Sequence, residues 1–186
     1  MELMLYTGKG DGGDTGLFGC DQRISKSSAI AEALGTLDEV NSFLGVCKVK
    51  SEDLEFVVAG KTFKEVLEEV QQHLFVIQAE VAGAEKTISK EMVVEMEMII
   101  NEAEKELPEI KTFFVSGGVQ LAAMFDFART LSRRAERRVV AVSEEGVVKV
   151  GEHTLAFLNR LSSLLYAMAR LTNHKSGITE EPPTYK

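Results

Sequence analysis

LAAMFDFARTLSRRAERRVVAV, residues 121–142, repeats on a helical period. Leu121, Met124, Ala128, Leu131, Ala135, Val139 and Val142 recur three or four residues apart, so they share one helix face. The other faces are rich in charge, as in a helix packed on one side. This helix is expected to begin after Gly117-Gly118 and to run to 143. Four more segments read the same way, at 28–49, 61–84, 90–107 and 152–172. The second carries Val66, Val70, Leu74, Ile77 and Val81 at helical spacing, and the last carries Leu158, Leu161, Leu165, Met168 and Leu171. Ser27 or Ser28 is the expected cap of the first helix, Ser89 that of the third, and Pro108 ends the third. Only three prolines interrupt the chain, and two of them are Pro182 and Pro183. Five long helices with short connections predict an all-α, up-and-down five-helix bundle.

The 186 residues suit one domain. It divides into a glycine-rich segment at 1–27, a bundle at 28–173 and a tail at 174–186. The tail is expected to fray or dock loosely. Residues 4–8 and 146–152 are expected at most to be briefly extended, without forming a sheet.

A net charge of -8 argues against general nucleic-acid binding, although a local basic pocket is compatible with it. Cys20 and Cys47 have no metal-ligand spacing, which favours a reducing compartment over a disulfide scaffold. No signal peptide is read at the N-terminus, and no apolar run approaches the roughly 18 residues of a membrane helix. A cytoplasmic protein is expected. None of His73, His153 or His174 follows a glutamate by three residues, so a di-iron bundle is not expected.

Three polar features exceed what a bundle needs. The first is YTGKGDGGDTG, residues 6–16, with five glycines. Glycines let backbone amides turn toward an anion, and Lys9 adds a charge. The spacing is not that of a P-loop. A flexible arm explains these residue types equally well. The second is the set Arg129, Arg133, Arg134, Arg137 and Arg138, five arginines within ten residues. Arg129, Arg133 and Arg137 line one side of the fourth helix. Exposed pairs such as Asp126 with Arg129, or Arg133 with Glu136, would be worth about 0.3–0.5 kcal/mol each. Planar, bidentate phosphate recognition is the stronger reading. Arg138 is expected toward the apolar side, against another subunit or a buried carboxylate. The third feature is the face shared by Asn159, Ser163, Tyr166 and Arg170 on the fifth helix. Asn159 suits a nucleotide's sugar or phosphate. Ser163 and Tyr166 read as an ordinary polar helix face.

Taken in order, YTGKGDGGDTGLFG, EALGTLDEVNSFLG, FFVSGG, ARTLSRRAERRVV and LNRLSSLLYAMAR resemble the PduO-type ATP:cob(I)alamin adenosyltransferases. The resemblance runs from Tyr6 to Arg170, and RRAERR followed by LNRLS is its most specific part. It implies a ferritin-like bundle assembled as a homotrimer, with active sites between subunits. It implies transfer of the 5'-deoxyadenosyl group of ATP to the cobalt of cob(I)alamin, with Mg2+ carried on the ATP phosphates. By resemblance, Thr7, Gly8, Lys9, Gly10, Asp11, Thr15 and Gly16 surround the triphosphate, and Lys26 assists. Arg133, Arg134, Glu136, Arg137 and Asn159 complete the ATP site. Asp38 pairs with Arg129 across the interface. Phe113 matches an aromatic that displaces the lower axial ligand of cobalamin; Phe114 beside it leaves open which ring reaches the corrin. Lys9 stands one place later than the family's basic residue, and Ser116 stands where the family commonly has proline. A reductase and an adenosylcobalamin-dependent mutase are the partners implied. A non-catalytic ATP-binding carrier and a plain helical interaction protein are the competing classes. The intact arginine set disfavours the first, and the glycine loop disfavours the second.

Overall fold

A computed structural model describes residues 6–17 and 22–185. Cys20 and the first residues of the extended piece expected at 4–8 lie outside them. Five helices carry the fold: α1 (Ala29–Ser51), α2 (Phe63–Val81), α3 (Lys90–Glu106), α4 (Gln120–Glu145) and α5 (Glu152–Lys175). The bundle expected from periodicity is present. Among the described residues, the two stretches expected to form no sheet form none, and the short strands lie elsewhere. β1 (Asp14–Gly16) and β2 (Arg23–Ser25) form an antiparallel ribbon, and β3 (Val57–Val58) and β4 (Lys61–Thr62) form another. The stretch 146–152 contributes no strand.

Cross-helix contacts fix the helix directions. Lys64 of α2 pairs with Glu52 just past α1, and Gln71 of α2 donates to the Asn41 carbonyl of α1, so α1 and α2 are antiparallel. Glu32 and Glu39 meet Arg138 and Arg134, so α1 and α4 are antiparallel too. Asn159 meets Glu136, and Arg170 meets Asp126, which turns α5 against α4. Glu97 pairs with Arg160 and Glu106 with Lys175, so α3 and α5 run the same way. The result is up-down-up-down-up in chain order. In side order α1 lies between α2 and α4, and α5 between α4 and α3.

Leu37, Leu44, Leu74, Phe125, Phe157 and Leu161 are among the buried side chains that fill the centre. Each such burial contributes about 1.5–3 kcal/mol. Cys47 is among them, and burial pushes its thiol up to about 12, so it stays protonated and unreactive near neutrality. No helix among the described residues is long and apolar enough to cross a membrane.

The caps separate into local and remote ones. Ser28 accepts from the Ala31 amide and Ser89 from the Met92 amide, as the sequence predicts. Thr62 and Glu65 form a reciprocal capping box, which starts α2 at Phe63 instead of 61. α4 and α5 begin at Val119 and Gly151, which have no capping side chain of their own. Other helices supply the acceptors. Asn173 Oδ1 accepts from the Val119 amide at 3.1 Å, and the buried Glu80 accepts from the Gly151 amide at 2.7 Å and from the Thr154 hydroxyl.

The tail is docked, contrary to the loose end expected. The Ile178 amide donates to the Asn173 carbonyl at 2.9 Å, and the Val115 amide donates to the Glu181 carbonyl at 2.9 Å. Arg170 is also misplaced by the wheel. It is 1% exposed and not part of a solvated face.

Candidate functional site

The glycine segment folds as a fastened loop. Gly8 and Gly13 have φ of 66° and 87°, the left-handed region that glycine enters without strain. The Asp11 amide donates to the Gly8 carbonyl, and the Gly13 amide to the Gly10 carbonyl, making two tight turns. Lys26 Nζ donates to the Gly10 carbonyl at 2.8 Å, and its own amide donates to the Gly13 carbonyl at 2.9 Å. Arg23 donates to both Asp14 oxygens, at 3.0 and 2.5 Å, and to the Lys9 carbonyl at 2.7 Å. Thr7, Gly8, Lys9, Gly10, Asp11, Thr15, Gly16 and Lys26 are thus brought together. The Lys9 side chain is exposed and has no partner among the described residues.

Sequence reasoning missed Arg23. No motif marks it, and only the pairing of β1 with β2 sets it opposite Gly16 and within reach of Asp14. The Arg23 hydrogen bond holds the Asp14 carboxyl below the usual carboxylate range. A depressed acid contributes stability above its ordinary pKa and loses it as pH falls through the folded one, so this link persists at neutral pH. Arg23→Ala is expected to speed amide hydrogen exchange across residues 8–16 several-fold while leaving the bundle's Tm unchanged. Exchange mass spectrometry checks it.

The arginine helix divides its labour. Arg134 pairs with Glu39. Arg138 pairs with Glu32 at 3.4 Å and is half exposed. The expectation that Arg138 turns toward the apolar side is therefore corrected: it lies at the α1–α4 rim, where a solvated carboxylate meets it. Arg137 Nη1 donates to the Arg133 carbonyl at 3.0 Å. Glu136 accepts from Asn159 Nδ2 at 3.0 Å and makes no pair with Arg133, so two expected site residues meet across α4 and α5. Arg133 is exposed, and no hydrogen bond or ion pair occupies its side chain among the described residues. Asp38 is exposed and likewise unpaired among the described residues; it does not meet Arg129 there. β1 and β2 pack chiefly on each other and make no substantial contact with α4.

Below the arginines lies a cavity of about 470 Å³ between α3, α4, α5 and the loop before α4. Leu107, Ile110, Phe113 and Phe114 supply an apolar side, and Asp126, Arg129, Arg133, Ser163 and Tyr166 a polar one. Both aromatic candidates reach it. Phe113 is 76% exposed, whereas Phe114 lies 5.9 Å from the Arg170 guanidinium. Phe113 is thus the ring free to meet a ligand. Ser163 and Tyr166 belong to this wall and not to an ordinary polar face. Tyr166 is recruited by the guanidinium groups of Arg170 at 5.0 Å and Arg129 at 6.0 Å. Burial raises its phenol pKa, so it remains a neutral hydroxyl. Among the described residues no three metal-binding side chains come together.

A fastened glycine loop, an unpaired arginine and a cavity with an apolar side are what this chain offers. Residues 5–172 match the family model described as cobalamin adenosyltransferase. The chain belongs to the cobalamin adenosyltransferase family. It is 38% identical over 181 residues to the corrinoid adenosyltransferase PduO of Citrobacter freundii, covering 92% of this chain and 50% of that protein. It therefore spans about half the length of that relative. It is 38% identical over 186 residues to the corrinoid adenosyltransferase of Bacillus subtilis, covering 95% of this chain and 90% of that one. Among solved structures, a phenylalanine-to-histidine variant of the PduO-type ATP:corrinoid adenosyltransferase from Lactobacillus reuteri, complexed with cobalamin and ATP, superposes with a TM-score of 0.86. It is 30% identical, with 98% of this chain and 97% of that chain covered. An arginine-to-lysine variant of the same enzyme, complexed with ATP, gives 0.84 at 29% identity, with 97% and 100% covered.

Proposed function

We propose that this protein transfers the 5'-deoxyadenosyl group of ATP to the cobalt of cob(I)alamin, giving adenosylcobalamin and triphosphate. The observation that carries this reading is the unpaired Arg133, which lines a cavity whose apolar side presents Phe113. Cob(I)alamin is a strong nucleophile and needs no activating base. The chain's task is to hold the triphosphate as the C5'–O bond breaks, and to keep water from the cobalt. Thr7, Gly8, Lys9, Gly10, Asp11, Thr15 and Gly16 supply amides, hydroxyls and charge to that leaving group, with Lys26 closing the loop. Arg133, Arg134, Glu136, Arg137 and Asn159 receive the rest of the nucleotide. Phe113 excludes the lower axial ligand. Mg2+ would ride on the phosphate oxygens, since it usually keeps its waters and needs few protein ligands.

The β1–β2 ribbon that carries the loop makes no substantial contact with α4 within one chain, which supports a homotrimer with each site shared between neighbours. Asp38 of one copy then reaches Arg129 of the next. Asp38→Asn is expected to lower kcat and to weaken the trimer. Sedimentation with steady-state kinetics checks it, and full activity with an unchanged oligomer would remove that pairing. A cytoplasmic location, a reductase upstream and a cobalamin-dependent mutase downstream complete the proposal. The test of the whole is anaerobic mixing with Mg-ATP and chemically reduced cob(I)alamin. Adenosylcobalamin and triphosphate together support it. Bound ATP with neither product points to a carrier instead.

A further inference from the structure

Asp126 is the one carboxylate in the apolar core of α4, at 4% exposure. A buried carboxylate is costly unless its oxygens are answered. Oδ2 is answered by Arg170 Nη2 at 2.5 Å. Oδ1 faces Arg129 Nε at 3.6 Å, one helical turn along and at the cavity wall. That Nε is itself buried and has no hydrogen-bond partner. Arg170 does not depend on Asp126 alone, because its Nη1 lies 2.7 Å from Glu180 and its face is stacked on Tyr166. Asp126 thus stands where it can neutralise Arg170, orient Arg129, or do both. Oδ2 is taken by Arg170, and Oδ1, turned toward the Arg129 Nε, is the oxygen placed to orient Arg129.

We infer that Asp126 is a positioning residue for Arg129, holding that guanidinium over Tyr166 at the cavity wall through the Oδ1–Nε approach. The inference rests on the transferase reading for its effect on rate, but not for its geometry. Holding Arg129 from its own helix leaves the far end of the guanidinium free for another carboxylate or for ligand. A misplaced charge near the reacting centre is costly in rate even when binding survives.

The test compares Arg170→Gln with Arg170→Gln/Asp126→Asn. If Asp126 serves only to neutralise Arg170, it is dispensable once Arg170 is neutral, and the two variants have equal kcat. If it positions Arg129, the single variant keeps kcat within a few-fold of wild type, and the double variant falls about tenfold further with the KM for ATP little changed. Equal kcat overturns the inference. A second readout needs no turnover. In arginine-labelled wild-type protein, the Arg129 Nε–H resonance, assigned by its loss in Arg129→Lys, should be protected from solvent exchange. It should remain so in Arg170→Gln and lose protection in the double variant. An Arg129 Nε–H that exchanges like an exposed arginine in the wild type overturns the inference, even where Arg170→Gln does not fold. A wild-type protein that makes no adenosylcobalamin defeats the transferase reading instead, and the resonance then decides the positioning role alone.

Discussion

Arg133→Ala is expected to lower kcat for adenosyl transfer by roughly a hundred- to a thousandfold, the usual cost of removing one well-placed donor from a developing charge. The fold should not notice. Arg133 is exposed, and its side chain has no partner among the described residues. Its carbonyl, which accepts from Arg137, survives the substitution. No buried carboxylate is stranded, so the large penalty for breaking an internal ion pair does not arise. Arg133→Lys separates charge from shape. Lysine keeps the positive charge but loses the planar fork that grips two phosphate oxygens at once. It should recover only part of the rate. Steady-state kinetics with a melting curve settles the matter, and near wild-type turnover with alanine would remove Arg133 from the site.

Gly118→Ala is expected to cost about 3 kcal/mol, by combining left-handed backbone strain with the loss of a helix cap. Gly118 has φ of 91°, and a Cβ there would lie 2.2 Å from Asn173 Oδ1. The Asn173 side chain would have to leave. It holds the Val119 amide, the Gly117 carbonyl at 3.0 Å and Glu180 at 2.7 Å. α4 would then start without an acceptor, and the tail would lose one of its ties. Such a loss corresponds to roughly 6–12 °C in Tm for a chain of this size. Differential scanning calorimetry measures it. An unchanged Tm would mean that the Asn173 clasp contributes little.

Much of this architecture is written in local spacing. Helix faces, the Ser28 and Ser89 caps and the stop at Pro108 depend on residues a few places apart, so a reader of the chain finds them. What escaped depends on long separations. Glu80 caps α5 from 71 residues away, and Asn173 caps α4 from 54. Arg170 sits among polar neighbours on a helical wheel. Its burial follows from Asp126 on another helix and Glu180 in the tail, neither of which the wheel contains. The same holds for the site. The family motifs point to Arg133, Glu136 and Asn159, and the last two do meet. Arg23 belongs to no short pattern, and only the paired ribbon reveals it; Tyr166 and Asp126 stand in short patterns that read as a polar face and an exposed pair, and only the α4–α5 packing places them at the cavity.

The bond from the Val115 amide to the Glu181 carbonyl has a practical consequence. It ties the chain beyond α5 to the segment that carries Phe113. An affinity handle or fluorophore attached near residue 181 would tug on the cavity wall and mimic a site mutation. The exposed turn at 83–86 takes part in neither structure and is the safer place for a handle.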